Sequence, residues 1–146
     1  MFRGRYEHQI DTKGRLSVPS RFRDVLMASS EGKLIITNFD ECLWAFAAPE
    51  WQELERKVAA LPQFMEEVKA LQRVFISAAV ECPIDRQGRI LVPATLRDYA
   101  GLARDVVVVG MTRRFEIWAK ERWDAVFQSA RVKLEGMGAK LAELGL

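Results

Sequence analysis

The sequence predicts an α+β fold assembled from two tandem half-units, and three observations predict it. The stretch Asp11-Thr12-Lys13-Gly14-Arg15-Leu16-Ser17-Val18-Pro19-Ser20-Arg21-Phe22-Arg23-Asp24 returns as Asp85-Arg86-Gln87-Gly88-Arg89-Ile90-Leu91-Val92-Pro93-Ala94-Thr95-Leu96-Arg97-Asp98, 74 residues later. Seven of its fourteen positions are identical: Asp, Gly, Arg, Val, Pro, Arg and Asp. The same offset carries Leu43-Trp44-Ala45 onto Ile117-Trp118-Ala119, so the register holds well beyond the motif and marks an internal duplication. Finally, short branched runs alternate with segments of helical period, giving each unit the order strand, turn, strand, short helix, strand.

Residues 3–10 form a first strand that leads into the Asp11 turn. There a carboxylate can accept hydrogen bonds from backbone N–H groups two residues on, and Asp85 does the same in the second copy. Gly14 and Gly88 supply the positive φ such a turn needs. Arg-Leu-Ser-Val and Arg-Ile-Leu-Val then run as short strands. Pro19 and Pro93 end those strands, having no N–H to donate, and suit the first turn of a helix. The first such helix, near 20–28, turns Phe22, Val25 and Leu26 to one side; the second presents Leu96, Tyr99 and Ala100 and stops at Gly101.

After a loop at Ser29-Ser30-Glu31-Gly32, strands are expected at Lys33–Asn38 and Cys42–Phe46 around an Asp40-Glu41 turn. The second copy gives strands at about 77–84, 89–92, 105–111 and 115–119, with Thr112-Arg113-Arg114 as a turn. Val106–Val109 is continuously apolar, as befits a strand buried on both faces. Between the copies, Pro49 opens a helix from Glu50 to about Leu61, Pro62 breaks it, and a second runs from about Gln63 to Arg73. Leu54, Val58, Leu61, Met65, Val68 and Leu71 recur there at helical spacing. Residues 120–144 are again helical, through Trp123, Val126, Phe127, Ala130 and Leu134, with Gly136 and Gly138 as interruptions. These two helical tails are expected to pack on each other or on a neighbouring subunit.

The formal net charge is only +2 in 146 residues, but its distribution is uneven. Residues 1–23 hold six basic side chains, Arg3, Arg5, Lys13, Arg15, Arg21 and Arg23, against Glu7 and Asp11. Residues 86–97 hold Arg86, Arg89 and Arg97 with no acid. Basic charge therefore tracks the repeated motif. Cys42 and Cys82 occupy inequivalent positions, a pattern of reduced thiols rather than of disulfides or a metal site. The N-terminus lacks an apolar signal region, and no apolar run approaches ~18 residues, so a soluble, cytoplasmic protein without membrane partners is expected.

The two Asp-x-x-Gly-Arg-x-x-Val-Pro-x-x-x-Arg copies, the Met-Phe-Arg-Gly start and the intervening helices resemble the MraZ family of bacterial transcriptional regulators. That family lies within the AbrB-like (SpoVT-AbrB) DNA-binding proteins, and the resemblance covers almost the whole chain. It implies a swapped-hairpin, double-split β-barrel in which one chain supplies both βαβ-type half-units. The half-units would span 5–51 and 77–121, followed by helices at 52–76 and 122–146. It further implies a ring-like homo-oligomer of the octamer or dodecamer class, associated with the nucleoid. The implied partner is double-stranded DNA carrying short direct repeats upstream of the cell-division and cell-wall gene cluster.

An arginine just after a turn glycine stands at the base of a hairpin, where its guanidinium can project beyond the sheet. Such a group can make a bidentate contact with guanine O6 and N7 in the major groove, worth ~1–3 kcal/mol of discrimination. That role falls to Arg15 and Arg89, with Asp11 and Asp85 holding the turn and orienting them. Lys13, Arg86, Arg3 and Arg5 are read as phosphate contacts, which give affinity and register without sequence information. The basic neighbour shifts by one residue between copies, since Thr12-Lys13 becomes Arg86-Gln87.

Each assignment has a rival. Arg15 and Arg89 could simply pair with Asp11 and Asp85 to lock the turns. Arg23 and Arg97 are read as structural or interfacial, Trp44 and Trp118 as packing residues, and His8 as neither base nor ligand. The alternative function is a ring-forming scaffold without sequence-specific DNA binding. An enzyme has little support: there is no nucleophile–base set, metal-ligand spacing or phosphate-binding glycine loop, and no cofactor is expected. Nor do aromatics interleave with basic residues as single-stranded RNA would require.

Overall fold

The computed structural model describes all 146 residues as a six-stranded antiparallel sheet, a separate two-stranded ribbon and six helices. In chain order these are β1 (Arg5–Gln9), β2 (Arg15–Ser17), α1 (Ser20–Ser30), β3 (Leu34–Phe39), β4 (Cys42–Ala47), α2 (Ala48–Ala59) and α3 (Glu66–Leu71). A π-helical turn over Gln72–Ile76 leads to β5 (Val80–Cys82), β6 (Arg89–Leu91), α4 (Ala94–Ala100), β7 (Asp105–Gly110), β8 (Phe115–Ala119), α5 (Lys120–Glu135) and α6 (Gly138–Glu143).

The sheet order is β1-β7-β8-β4-β3-β5, and the ribbon is β2-β6. Only β3–β4 and β7–β8 pair within a copy; β1–β7, β3–β5, β4–β8 and β2–β6 each join one copy to the other. The two half-units are thus interleaved and share one core. The six-stranded sheet does not close on itself, because β1 and β5 end it as separate edges. Both edge strands run on toward the Asp11 and Asp85 turns, and one isolated bridge, Ile10 to Leu16, links the sheet to the ribbon.

The inner face of the sheet packs against α1, α4 and the ribbon. Leu34, Ile36, Leu43, Ala45, Val106, Val108, Phe115 and Ile117 meet Phe22, Leu26, Leu96 and Ala100, with Leu16 and Ile90 from the ribbon. Each large apolar side chain buried here contributes ~1.5–3 kcal/mol. The Phe22 and Phe115 rings lie 5.0 Å apart and tilted by 40°, and Phe2 meets both edge-on. Val107 and Val109 are buried on the opposite face, so the continuous apolar run is covered on both sides as expected.

Local differences from the sequence reading have local causes. Pro19 and Pro93 stand at the helix N-caps, one position before the first turn, where their carbonyls receive the N–H groups of Phe22 and Arg23 and of Leu96 and Arg97. Helix α1 continues to Ser30, because that buried hydroxyl has two carbonyls, of Leu26 and Lys33, each at 2.9 Å, between which to share its one proton, and needs no solvent. The strand expected from 77 begins only at Val80, since the helical chain persists long enough to insert Phe75 among Phe46 and Trp51. Gly101 closes α4 at φ 65°, as anticipated.

The helical tails pack on the sheet's outer face rather than on each other. The first tail covers β3 and β4 with Trp51 and Phe75, aided by Leu54 and Leu71, and also buries Val58 and Val68. Thr37, fully buried in β3, donates its hydroxyl to the Phe75 carbonyl at 2.5 Å, fixing the π-helical turn to the sheet. Leu61 and Met65 are exposed, because the break at Pro62 turns them away from the stripe that Val58 and Val68 follow inward. Helix α5 lies over β7 and β8 through Trp123 and Phe127, yet buries no residue fully. Trp118 is buried beneath it and Trp44 half-buried under the first tail, so both pack as expected. No helix is long and apolar enough to cross a membrane.

Candidate nucleic-acid interface

The repeated turns have the same construction. Asp11 Oδ1 accepts the N–H groups of Lys13 and Arg15 at 2.9 Å each, while Oδ2 accepts the Arg15 Nε at 2.7 Å. Asp85 Oδ1 accepts the N–H groups of Gln87 and Arg89 at 2.9 Å, and Oδ2 accepts the Arg89 Nε at 3.3 Å. The Arg15 N–H holds Asp11 down at about 2, aided by the Arg15 guanidinium and the Lys13 N–H. Asp85 is lowered for the same reason, chiefly by the Arg89 N–H and then by that of Gln87.

The turn glycines are required twice over. Gly14 has φ 91° and Gly88 has φ 76°, backbone that side chains resist. Each also lies against the opposite copy. A Cβ on Gly14 would stand 2.7 Å from the Val92 carbonyl and 2.8 Å from the Arg97 Nε; one on Gly88 would fall onto the Arg23 guanidinium. The Gly14 carbonyl accepts from the Val92 N–H at 2.8 Å, and the Gly88 carbonyl from the Val18 N–H at 2.9 Å. Arg23 and Arg97, read from the sequence as structural or interfacial, pack beneath the turn of the other half-unit.

The ribbon register decides what faces outward. Leu16 pairs with Ile90 and both point into the core, so their neighbours Arg15, Ser17, Arg89 and Leu91 share the outer side. Arg15 and Arg89 stand diagonally across it and line one open depression with Asp85, Leu91, Pro83 and Pro93. Their side chains are 40% and 31% exposed, and paired, so they are anchored along the ribbon rather than thrust free of it. The pairs use Nε: both Nη groups of Arg15 keep no partner within the chain, and Arg89 lends one Nη to Gln87 at 3.4 Å. Locking the turn and presenting the guanidinium edge are thus compatible, and an exposed pair of this kind adds little stability of its own.

Lys13 and Arg86 are exposed at the two turn tips. Arg3 and Arg5, expected as phosphate contacts, are not brought to this surface. Arg5 lies on the outer face of the sheet with its guanidinium 4.8 Å over the Phe127 ring, and Arg3 stands beside Gly110, at the far end of β1 from the turn. The fold supplies a basic residue the motif did not indicate: exposed Arg104 shares a surface depression with Asp11 and Thr12. The pairing of β1 with β7, continued by the Ile10–Arg104 backbone hydrogen bond, brings it there, so no local pattern could have revealed it.

Two family matches follow the duplication seen in the structure. The family described as "MraZ protein, putative antitoxin-like" matches residues 1–74 and again residues 75–140. Proteins called transcriptional regulator MraZ are similar along the full chain. That of Roseiflexus sp. (strain RS-1) is 46% identical over 144 residues, covering 99% of each chain. Those of Heliobacterium modesticaldum and Acetivibrio thermocellus are 44% and 40% identical over 146 residues, covering 100% of each. The chain belongs to the MraZ family.

MraZ proteins are transcriptional regulators, not enzymes, and each of the two matched segments here carries one ribbon strand and one turn. In this MraZ chain both cysteines are buried. Burial pushes the Cys82 thiol up to about 11 and raises Cys42 further, and neither forms a disulfide. Burial likewise lowers His8, which stands on β1.

Proposed function

We propose that this chain is a sequence-specific DNA-binding transcriptional regulator whose reading surface is the outer side of the β2-β6 ribbon. The observation that carries this reading is the convergence of Arg15 and Arg89 on one face, each clamped through Nε by the aspartate of its own turn. A guanidinium held side-on keeps its Nη groups for a base, and a two-stranded ribbon fits the ~12 Å major groove. Lys13 and Arg86, at the tips, would meet phosphates on either side, with Arg104 beside the first turn. The names borne by the similar proteins support the regulatory role.

The finer reading follows from the MraZ resemblance. The interleaved strands are a swapped-hairpin, double-split barrel opened at its seam. Copies of the chain assemble into a ring of the octamer or dodecamer class, and that ring binds tandem short DNA boxes in the promoter of its own division and cell-wall gene cluster. One chain offers two reading arginines and a net charge of +2, so its affinity alone is modest. Several ribbons at fixed spacing gain ~10²–10⁴ in avidity where the boxes match that spacing.

The test is a gel shift on the chain's own upstream region, wild type beside the Arg15→Ala/Arg89→Ala double variant, with native mass spectrometry of both. Loss of specific binding with the assembly intact is the expected result. Undiminished binding by the double variant would refute the reading, and a chain that stays monomeric at micromolar concentration would remove the avidity argument.

A further inference from the structure

The two halves of the ribbon's outer side are not equivalent. Across from Arg15 stands Leu91; across from Arg89, at the related position, stands Ser17. The Gly14–Val92 and Val18–Gly88 hydrogen bonds set the ladder, so by alternation Arg15–Leu91 and Ser17–Arg89 are non-hydrogen-bonded pairs. In such pairs the facing Cβ atoms are closest, ~4.5–5.5 Å apart. Leu91 is 58% exposed, an isobutyl group flanked by the two arginines in a depression that also holds Glu81, Pro83, Asp85 and Pro93, while Leu16 and Ile90 beneath it are buried. It supports no core packing that would require leucine there, and its counterpart in the first half-unit is a serine.

From this we infer that Leu91 is a specificity-determining residue that reads the 5-methyl group of a thymine next to the base contacted by Arg15. The inference rests on the DNA-binding role proposed above and adds to it the chemistry of a second base. In the major groove thymine presents a methyl group that an apolar side chain recognises, and no other base does. An arginine and a leucine side by side fit a guanine and a thymine at neighbouring steps; an arginine beside a serine makes no such apolar demand. The reading surface therefore has a polarity although its backbone is nearly two-fold symmetric. A protomer so built binds its box in one orientation and favours sites that are not palindromes.

The experiment selects duplexes from a random DNA library with the full-length protein, then replaces each thymine of the recovered motif by deoxyuridine, which removes only the methyl group. For the wild type, one thymine beside an arginine-contacted guanine should be sensitive, with affinity falling about fourfold, the worth of one methyl group returned to water. Leu91→Ser should bind thymine and deoxyuridine duplexes equally while keeping its fold and its dependence on Arg15. Ser17→Leu should create a second sensitive thymine on the Arg89 side. If no thymine shows the effect, or if Leu91→Ser retains it, the inference is overturned while the DNA-binding role stands. If no motif is recovered at all, or if Arg15→Ala and Arg89→Ala recover the wild-type motif, that role falls and the inference with it.

Discussion

At the ribbon the two half-units are nearly alike, and on the outer face of the sheet they part. Asp11 and Asp85 accept the same backbone and guanidinium donors, and each turn glycine packs on the other copy. Behind the sheet, the first tail closes over its strands with Trp51 and Phe75, whereas α5 rests on Trp118 through two partly buried aromatics. The two regions answer to different constraints. A turn that must fit against its own duplicate is held to one geometry by reciprocal contacts. A helix laid on a sheet is free to change whatever it covers.

Polar chemistry has diverged in the same place. In the second copy, buried Glu116 accepts from Arg114 and from the Trp118 Nε1, each at 3.0 Å, and the Arg114 guanidinium lies 3.5 Å over the Trp44 ring. Cys42 occupies the position of Glu116 in the first copy and is buried among valines and Trp118. The ion pair and the cation–π contact thus sit where the tails flank the middle of the sheet, and a buried charge of this kind holds its place only while paired.

The largest effect that could break this comparison lies in the tails. Phe75→Ala should destabilise the chain by ~3–5 kcal/mol in chemical denaturation, the usual cost of removing a buried phenyl ring. Phe127→Ala, on a helix that buries nothing fully, should cost ~1 kcal/mol or less. Equal losses would mean the two tails are not different in kind.

Next come the turns. Arg15→Ala and Arg89→Ala should each relax base discrimination by ~1–3 kcal/mol in binding titrations. Arg15 should matter more, because its pair with aspartate is shorter, 2.7 Å against 3.3 Å, and leaves both Nη groups free. A larger effect at Arg89 would show that the orienting contact is not what counts.

Smaller still is the contribution of α6. Removing residues 136–146 should shift the thermal midpoint by no more than about 2 °C, since Leu144 and Leu146 are 73% and 88% exposed. On the proposed ring, the same truncation should weaken the assembly in sedimentation. The least effect is one of pH. Because the folded pKa of Asp11 is about 2, below its ordinary 3.8, its turn contributes fully above about pH 4 and is lost as pH falls toward 2. Acid titrations of stability should be flatter in that window for Asp11→Asn than for the wild type.

Much of this was legible in the sequence because its causes are local. The duplication, the Asp–Gly–Arg turns, the Pro-started helices and the doubly buried Val106–Val109 run each depend on residues within one or two turns of chain. The start of β5 differs from the sequence reading because Phe75 answers to a distant partner, the outer face of the sheet, whereas α1 outlasts its expected end only through the local contacts of Ser30 with Leu26 and Lys33. At the site, the turns that carry Arg15 and Arg89 were legible, whereas Arg3 and Arg5, grouped with them by sequence, lie away from the ribbon, since charge clustered in sequence need not cluster in space.

The amino-acid sequence alone determined that there are two half-units, where their turns fall and which side chains the turns carry, for turn geometry follows from a carboxylate, a glycine and their spacing. Only the tertiary structure decided that β2 pairs with β6. That cross-copy register puts Arg15 beside Leu91 and Arg89 beside Ser17, sets Arg23 and Arg97 under the opposite turns, and leaves the sheet open at β1 and β5. Strand partners are chosen by burying Leu16 and Ile90 in a shared core, a long-range requirement that no stretch of either half-unit contains by itself.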